Sequence, residues 1–426
     1  MVARPKVRHL MKRVYACLAL AASTRLAMPC AAQPLEIAAP GVIKAMPDTS
    51  DGIHAFQAFN YDIGSDAARA HAARYDYLWS ASLYPVVAPW YQGHPAIVAT
   101  HYIPYARDAS YHTLKWFERN HPDWILYRCD RKTPAWEYGD TRTVPIDITN
   151  QDAVAYQLAS GIYYARSYDP SGVVDGIAAD NLSLNNLWGG CGAFRKNLWV
   201  QTFSGAMQDP AWRNATVRWV ANASSLLHSQ SPPLRLDGNT SPVFEKFDDD
   251  AERKIVQTLD GIFDEAGFTD YGSGLFSGAQ WLNAERWLAY AQSIGKTWLS
   301  VNGFTPGDAR IVEFAVASYL MEKGHSAAIF ISTTSKAGVI YGREEWKKIY
   351  TAPIGTACGK MYFDQDVYFR RFTRGLAVVN ASATRTLVVR LPQHRYTTTD
   401  GEPVGNALRL GQTTGVVLLT VNGCGA

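Results

Sequence analysis

The sequence lacks the features that mark several common classes of protein. Neither sign of charge is in large excess, because 19% of the 426 residues are charged and the formal net charge is +3. We therefore expect no partnership with nucleic acid or with an acidic membrane surface. Neither Cys-x-x-Cys nor His-x-x-x-His occurs, so no zinc site, and no metal or cofactor of any kind, is predicted. With 47% hydrophobic residues, a soluble globular chain with a sizeable core is expected instead of disorder.

Long apolar runs are also missing, except for a short one near the N-terminus. The segment "MKRVYACLALAAS" has a basic start and an apolar stretch too short to cross a bilayer, and small residues follow at "CAAQ". We predict a signal peptide over residues 1–32, export to the periplasm or the extracellular space, and no membrane insertion after its removal. The exported chain is expected to be monomeric.

Cysteine is scarce in the predicted mature chain. Four cysteines remain after cleavage, and an even number in an oxidising compartment favours disulfides. Of the three possible pairings we favour the one that keeps each bond inside one domain; four unpaired buried thiols are the alternative. The favoured pairs are Cys129 with Cys191 and Cys358 with Cys424.

Short apolar, β-branched runs alternate with segments of helical character between residues 33 and 350. Examples are the run His54–Asp62, followed by an Ala-rich segment that Ser65 or Asp66 could cap, and the helical segment that follows Asn150, its expected cap. Eight such units predict a parallel (β/α)8 barrel, with a doubly wound open sheet as the competitor. The run "DWILYRCD" is apolar enough to be a further strand, and residues 131–145 are expected to form a long loop.

The pattern changes after residue 350. Residues 351–426 show alternating polar and apolar positions, turn signals such as Asp400-Gly401 and no helical period. A small C-terminal antiparallel β-sandwich domain is predicted there. The predicted organisation is therefore a signal peptide, a barrel and a β domain.

Two of the predicted strands share a pattern that ends in an acid. "DGIAAD" begins at Asp175 and "DGIFDE" begins at Asp260, so Asp180 corresponds to Glu265. Side chains alternate along a strand, and the carboxyl ends of parallel barrel strands meet at one mouth. In the fourth and sixth strands, the two acids are therefore expected to face each other where barrel enzymes hold their active sites.

Paired carboxyls across a sugar-sized gap are what glycoside hydrolysis requires. One must donate a proton to the leaving oxygen and the other must stay ionised. We interpret Asp180 as the ionised partner, because Asn181 can donate a hydrogen bond nearby, and Glu265 as the acid, because it follows apolar Phe263. Either could instead cap a helix or bind a loop amide, and Asp264 is the obvious rival.

Further polar and aromatic residues fall at predicted strand ends or in loops, where amides and acids could bind sugar hydroxyls and indole rings could stack on pyranoses. A tryptophan is more often part of a core, and a lone histidine is more often structural. The candidates are Tyr61, Asp62, His101, Asn181, Trp188, Asp237, Asn239, Asp264, Trp281 and Asn302.

The segments "PIDITNQDAVAYQLASGIYYARS", "VVDGIAADN", "LDGIFDEAG" and "YFRRFTRGLAVVNAS" resemble TIM-barrel glycoside hydrolases known largely from sequence and often called hypothetical glycosyl hydrolases. These are similar to the α-galactosidase and polygalactosaminidase barrels. The resemblance spans nearly the whole mature chain and implies a nucleophile at Asp180, an acid/base at Glu265 and a C-terminal β domain. This sequence departs from the α-galactosidase pattern, because Glu265 stands where those enzymes use Asp.

The sequence thus predicts an exported glycoside hydrolase that acts on a polysaccharide or an oligosaccharide. The alternative is a catalytically silent barrel that binds carbohydrate. A metal-dependent hydrolase is disfavoured, because clustered histidine ligands are missing from the sequence.

Overall fold

The computed structural model describes residues 41–60, 62–81, 84–108, 112–166, 174–306, 308–335, 338–392 and 395–424. The predicted signal peptide and Tyr61 lie outside the described residues, so these two predictions stand untested. Among the helices that the structure describes, none is both long and apolar enough to cross a bilayer.

Eight parallel strands form a closed barrel. The first pairs with the second, and so on around the barrel to the eighth, and Ala55 of the first pairs with Ile329 of the last. This closing pair excludes an open doubly wound sheet and confirms the predicted (β/α)8 barrel. The barrel strands are β1 (Ala55–Ala58), β2 (Tyr75–Ala81), β3 (Val98–Pro104), β4 (Gly176–Asp180), β5 (Arg235–Asn239), β6 (Gly261–Asp264), β7 (Thr297–Phe304) and β8 (Ala327–Ser335).

Helices lie between most of these strands. Asn150 caps the helix before β4, since its side-chain oxygen accepts hydrogen bonds from the backbone N–H groups of Asp152 and Ala153, as predicted. The prediction of a Ser65 or Asp66 cap is wrong: the first helix starts at Ser65 and its N-cap is Gly64. The helices are α1 (Ser65–His71), α2 (Tyr84–Gly93), α3 (Leu114–Asn120), α4 (Gln151–Arg166), α5 (Pro210–His228), α6 (Asp250–Thr258), α7 (Gly278–Ser293) and α8 (Ala309–Glu322).

The repeated Asp-Gly-Ile has the same structural role in β4 and β6. Asp175 exchanges two hydrogen bonds with Ala99 of β3: its backbone N–H donates to the carbonyl, and its carboxylate accepts from the N–H at 2.9 Å. Asp260 makes the same two contacts with Leu236 of β5. Each aspartate therefore fastens the start of its strand to the preceding strand, and this fixes an equal register for the acids five residues later.

The barrel interior is filled by apolar side chains from alternating strand positions. Phe263 of β6 stacks on Trp79 of β2, and the cluster also includes Ala178 of β4 and Val301 of β7. Every second residue of a strand points inward, so the interior packing determines which polar residues reach the mouth.

A small antiparallel sheet, separate from the barrel sheet, is formed by segments that follow β3 and β4 in the chain. The predicted strand "DWILYRCD" contributes just Tyr127–Arg128, which pairs with Gly190–Arg195, and this strand pairs with Leu198–Gln201. The "DWILYRCD" segment is therefore not a barrel strand. The predicted disulfide between Cys129 and Cys191 is present and ties this sheet together.

The predicted C-terminal antiparallel β domain is present and packs on the barrel. Helix α8 supports it, since Arg370 donates to the carbonyls of Leu320 and Lys323. The predicted disulfide between Cys358 and Cys424 lies in this domain. One sheet contains Tyr362–Asp364, Val367–Phe372, Gly375–Asn380, Thr414–Leu419, Tyr396–Thr398 and Pro403–Val404, and a second contains Leu387–Arg390 and Ala407–Leu410.

Candidate active site

Two acidic side chains meet at the carboxyl end of the barrel. Asp180 is the last residue of β4, and Glu265 directly follows β6. Each lies two residues beyond an interior residue, Ala178 in β4 and Phe263 in β6, so each projects into the mouth. Ala178 and Phe263 form part of the barrel floor below them.

One amide from the strand between them holds both acids. The side-chain nitrogen of Asn239, the last residue of β5, donates to Asp180 Oδ1 at 2.9 Å and to Glu265 Oε2 at 2.8 Å. Those two oxygens are therefore at most about 5.7 Å apart, the sum of the two distances. Neighbouring strands β4, β5 and β6 thus present acid, amide and acid in a row.

Two tyrosines complete the hydrogen bonds of the acids. The Tyr102 hydroxyl, from β3, donates to Asp180 Oδ2 at 3.1 Å. Tyr341, which follows β8, donates to Glu265 Oε1 at 2.9 Å. These hydroxyls and Asn239 orient both carboxyl groups before any ligand is bound.

The surroundings of Glu265 favour its protonated form. Burial raises the pKa of Glu265 above its ordinary value, and the negative charge of Asp180 raises it further. The hydrogen bonds from Asn239 and Tyr341 oppose this rise because they stabilise the carboxylate. A carboxyl group whose protonated form is favoured, next to a second carboxyl group, is the arrangement that an acid and nucleophile pair requires.

A third acid lies beside the pair, and the sequence did not single it out. Glu137, in the loop between β3 and β4, forms a salt bridge with Arg107 and accepts a hydrogen bond from the amide of Asn181. Burial raises the pKa of Glu137 to about 7; Arg107 opposes the rise and Asp180 adds to it. Its one sequence signal was an acid between aromatic residues in "AWEYG", inside the predicted loop.

Three further predicted residues lie at or near the mouth. Asn181 is also within 3.4 Å of Asp180 through its side-chain nitrogen. Trp188 packs against Tyr138, with the ring centroids 4.4 Å apart. Asp62 is exposed, and its backbone N–H donates to the carbonyl of Gly342, the residue after Tyr341.

Asp237 lies inside the barrel, one inward-facing position below Asn239. Its carboxylate pairs with Arg235 at 2.8 Å and accepts a hydrogen bond from Tyr77. All three side chains are buried, so Asp237 serves the packing of the barrel floor.

Three predicted residues face away from the mouth. His101 lies on the face of β3 opposite Tyr102 and packs against Tyr164 of α4, and burial lowers its pKa to about 4. Asn302 accepts from the backbone N–H of Phe268 and fastens the loop after β6. Trp281 is buried in α7, where its indole donates to Ser318.

Asp264, the predicted rival of Glu265, is buried on the face of β6 opposite to Phe263. Burial raises the pKa of Asp264 to about 8, and hydrogen bonds from the backbone N–H groups of Gly267 and Ala266 oppose that rise. Asp264 thus holds the loop that follows Glu265. Among the described residues, no three His, Cys, Asp or Glu side chains are grouped to hold a metal ion.

Solved structures with a similar fold belong to carbohydrate-active proteins. An α-amylase from Anoxybacillus is 10% identical with a TM-score of 0.51 and covers 88% of this chain and 99% of its own. A maltogenic α-amylase from Thermotoga neapolitana is 11% identical (TM-score 0.47; 86% of this chain, 97% of that chain). A cyclic α-maltosyl-(1→6)-maltose hydrolase from Arthrobacter globiformis is 14% identical (TM-score 0.45; 91% of this chain, 94% of that chain).

At these identities the likeness concerns the fold alone. No protein-family model matches the chain, and no curated protein matches it. The resemblance to α-galactosidase-like barrels therefore stays a prediction, and the argument for function rests on the geometry of the site.

Proposed function

We propose that this protein is an exported glycoside hydrolase that cleaves a polysaccharide or an oligosaccharide with Asp180 and Glu265. The observation that carries the proposal is the single amide of Asn239 that holds both carboxyl groups. Two acids at the mouth of a barrel, one favoured in its protonated form, are the chemical requirement for glycoside hydrolysis.

Asp180 is the nucleophile and Glu265 the acid. Asp180 attacks the anomeric carbon while the glycosidic C–O bond breaks, and Glu265 transfers its proton to the leaving oxygen. Water then attacks the glycosyl ester, Glu265 accepts the proton of that water, and Asp180 is released. Burial and the charge of Asp180, which raise the pKa of Glu265, support this assignment.

The short gap between the acids supports retention of anomeric configuration. Their bridged oxygens are at most about 5.7 Å apart, as the contacts to Asn239 require. Retaining enzymes separate their carboxyl groups by roughly 5 to 5.5 Å, whereas inverting enzymes need roughly 6.5 to 9.5 Å to admit a water molecule. Proton NMR of the first-formed product tests this, and an inverted anomer would exclude the covalent route.

The remaining predictions belong to the same proposal. The composition and the predicted signal peptide support export and independence from a cofactor, from nucleic acid and from membrane insertion. The proposal also includes a monomeric state. The two disulfides are compatible with an oxidising compartment. Mass spectrometry of the secreted mature chain would test the cleavage near residue 32.

The test of the activity is the release of reducing ends from a panel of plant and bacterial polysaccharides. Asp180→Asn and Glu265→Gln should each lose turnover while they keep the wild-type circular dichroism spectrum. Asp66→Asn, which changes a fully exposed carboxylate on α1, is the matched control and should stay active. A fully active Asp180→Asn would end the assignment, and binding without cleavage by every form would favour the silent binding barrel.

An activated aryl glycoside separates the two roles. A good leaving group needs no proton, so Glu265→Gln should form the glycosyl-enzyme from it far faster than from a natural sugar. Asp180→Asn should not form that intermediate from either substrate. Equal losses for both variants on both substrates would contradict the assigned roles.

A further inference from the structure

Two turns at the mouth of the barrel have the same sequence pattern, and their central residues have the same backbone conformation. Glu137–Gly139 and Asp270–Gly272 are short 3-10 turns of the form acid-Tyr-Gly. Tyr138 has φ 51° and ψ 19°, and Tyr271 has φ 55° and ψ 19°. Both tyrosines therefore adopt the left-handed conformation.

This backbone conformation is unfavourable for a large side chain. Glycine adopts it freely, and Asn or Asp tolerates it, whereas a bulky residue there is an outlier that recurs at binding and catalytic sites. Burial does not explain the choice, because Tyr138 is 72% exposed and Tyr271 is 39% exposed. The rings are thus presented to solvent by turns for which a smaller residue would be better suited.

A second aromatic ring supports each tyrosine. Trp188 lies 4.4 Å from the Tyr138 ring, centroid to centroid. Phe244, itself 49% exposed, lies 5.8 Å from the Tyr271 ring with an interplanar angle of 10°. The rings of Tyr138 and Trp188 are tilted by 58°, and Trp188 is partly buried. We refer to Tyr138 with Trp188 and to Tyr271 with Phe244 as the first and second aromatic platforms.

The platforms come from two loops that precede and follow, along the chain, the strands that carry the acid, the amide and the acid. Tyr138 is in the loop before β4 and adjoins Glu137, whose carboxylate is bonded to Asn181 next to Asp180. Tyr271 is in the loop after β6, and its hydroxyl donates to Ser241, two residues after Asn239, at 3.2 Å. Because β4, β5 and β6 are consecutive around the barrel, the two loops flank the strands that carry the site.

The pKa shifts of both phenol groups agree with their proximity to the acids. Tyr138 is partly desolvated despite its exposed ring, and this raises the pKa of its phenol; the charges of Glu137 and Glu265 raise it further. Burial also raises the pKa of Tyr271; its hydrogen bond to Ser241 opposes the rise and the charge of Glu265 adds to it. Both rings therefore lie within the field of the same carboxyl group.

We propose that the two aromatic platforms bind sugar rings on the two sides of the bond that is cleaved, so that the substrate is a chain of pyranoses cut at internal linkages. This inference rests on the proposed hydrolase function. The carbon-bound hydrogens of a pyranose face pack on the apolar face of an aromatic ring, so each platform can hold one sugar ring. A substrate that placed a sugar ring on one side of the cleaved bond alone would leave one of the two platforms unused.

Replacement of each tyrosine by glycine removes the ring without disturbing the turn. Glycine relieves the left-handed strain, so Tyr138→Gly and Tyr271→Gly should keep the thermal midpoint close to that of the wild type. Tyr138→Phe and Tyr271→Phe keep the ring and the strain. Tyr362→Gly changes a comparably exposed tyrosine in the C-terminal β domain and serves as the control.

Binding is measured with all variants in the full-length Asp180→Asn background, by native gel electrophoresis in the presence of hydroxyethyl cellulose, galactomannan, soluble starch or xylan. At least one polysaccharide should retard Asp180→Asn. Each Tyr→Gly change should then weaken binding about five- to tenfold, whereas the Tyr→Phe changes and Tyr362→Gly should not. The inference would be overturned if none of the four polysaccharides retarded Asp180→Asn. It would also be overturned if the variants without one of the two rings were retarded as strongly as Asp180→Asn.

Product analysis separates failure of the inference from failure of the proposed function. A wild-type enzyme that releases a ladder of oligosaccharides from the retarding polymer supports both. If it releases just single sugars, the hydrolase stands and the internal cleavage is wrong. Retardation that depends on both rings, without any cleavage by the wild type, would retain the platforms and reject the hydrolase.

Discussion

Asp180 and Glu265 are joined through a single nitrogen atom, the side-chain amide nitrogen of Asn239, which lies 2.9 Å from one carboxyl group and 2.8 Å from the other. This contact limits the distance between the acids and orients both. It also makes the amide, which has no role in proton transfer, a positioning group for the reaction.

Asn239→Asp should therefore reduce kcat/KM about 10²- to 10³-fold, the usual effect of removing one preorganised donor from an active site. The change keeps the size of the side chain but replaces both hydrogen bonds with repulsion between carboxyl groups. Steady-state kinetics on the substrate from the polysaccharide panel measures the loss. Asn197→Asp, at an exposed turn, is the matched control, and equal activity of the two variants would contradict the positioning role.

Tyr341→Phe should move the alkaline limb of the pH profile to higher pH. The Tyr341 hydroxyl stabilises the ionised form of Glu265, so its removal raises a pKa that burial and Asp180 have already raised. Glu265 must be protonated to act as an acid, and activity then persists to higher pH, by on the order of one pH unit. The profile of kcat/KM shows the shift, whereas Tyr102→Phe, which removes a donor to Asp180, should leave this limb in place.

Glu137→Gln should abolish the fall in activity that we expect below about pH 7 in the pH profile of the wild type. In the wild type, Glu137 becomes protonated as the pH falls through its pKa of about 7. The neutral side chain then binds Arg107 and the Asn181 amide more weakly. Activity should fall with that protonation. The glutamine variant resembles the protonated state at every pH, so its activity should be low and should lack this inflection. Glu118→Gln, at an exposed site on α3, should retain the wild-type profile.

The two disulfides allow a matched test of how the site is supported. Cys129 and Cys191 are 62 residues apart, and Cys358 and Cys424 are 66 apart, so the chain-entropy contribution of either bond is about 4 kcal/mol. Double replacement by serine should lower the thermal midpoint similarly in both cases. Loss of the Cys129–Cys191 bond should also reduce kcat/KM below the unfolding temperature, because this bond joins the segments that lead to Glu137 and Trp188. Similar kinetics of the two variants would exclude that role.

Much of the barrel could be predicted from the sequence, because eight apolar strand patterns alternate with helices and each pattern is local. The repeated Asp-Gly-Ile also predicted an equal register for Asp180 and Glu265, since the aspartate that starts each pattern bonds to the preceding strand in the same way. The segment "DWILYRCD" does contain the further strand that its composition predicted, but the composition could not show that this strand is short and pairs with an outer hairpin.

Several site residues could not be predicted because their roles depend on contacts between distant segments. Tyr341 reaches Glu265 across 76 positions, and Asn181 reaches Glu137 across 44. No local pattern marks such partners. Conversely, His101 and Asn302 lie within β3 and β7 but on the outward faces of these strands, and composition alone does not reveal which alternate residues face inward.

The sequence by itself determined the order of strands and helices, the pairing preference of the cysteines and the position of two acids at equivalent strand ends, because each depends on short-range periodicity or on the division into domains. Closure of the barrel decided the rest. It brought Asn239 between the acids, turned His101 and Asn302 outward, and placed Glu137 and the two aromatic platforms around the mouth. These contacts join residues far apart in the chain, and the packing of the closed barrel selects among the many arrangements that local propensity allows.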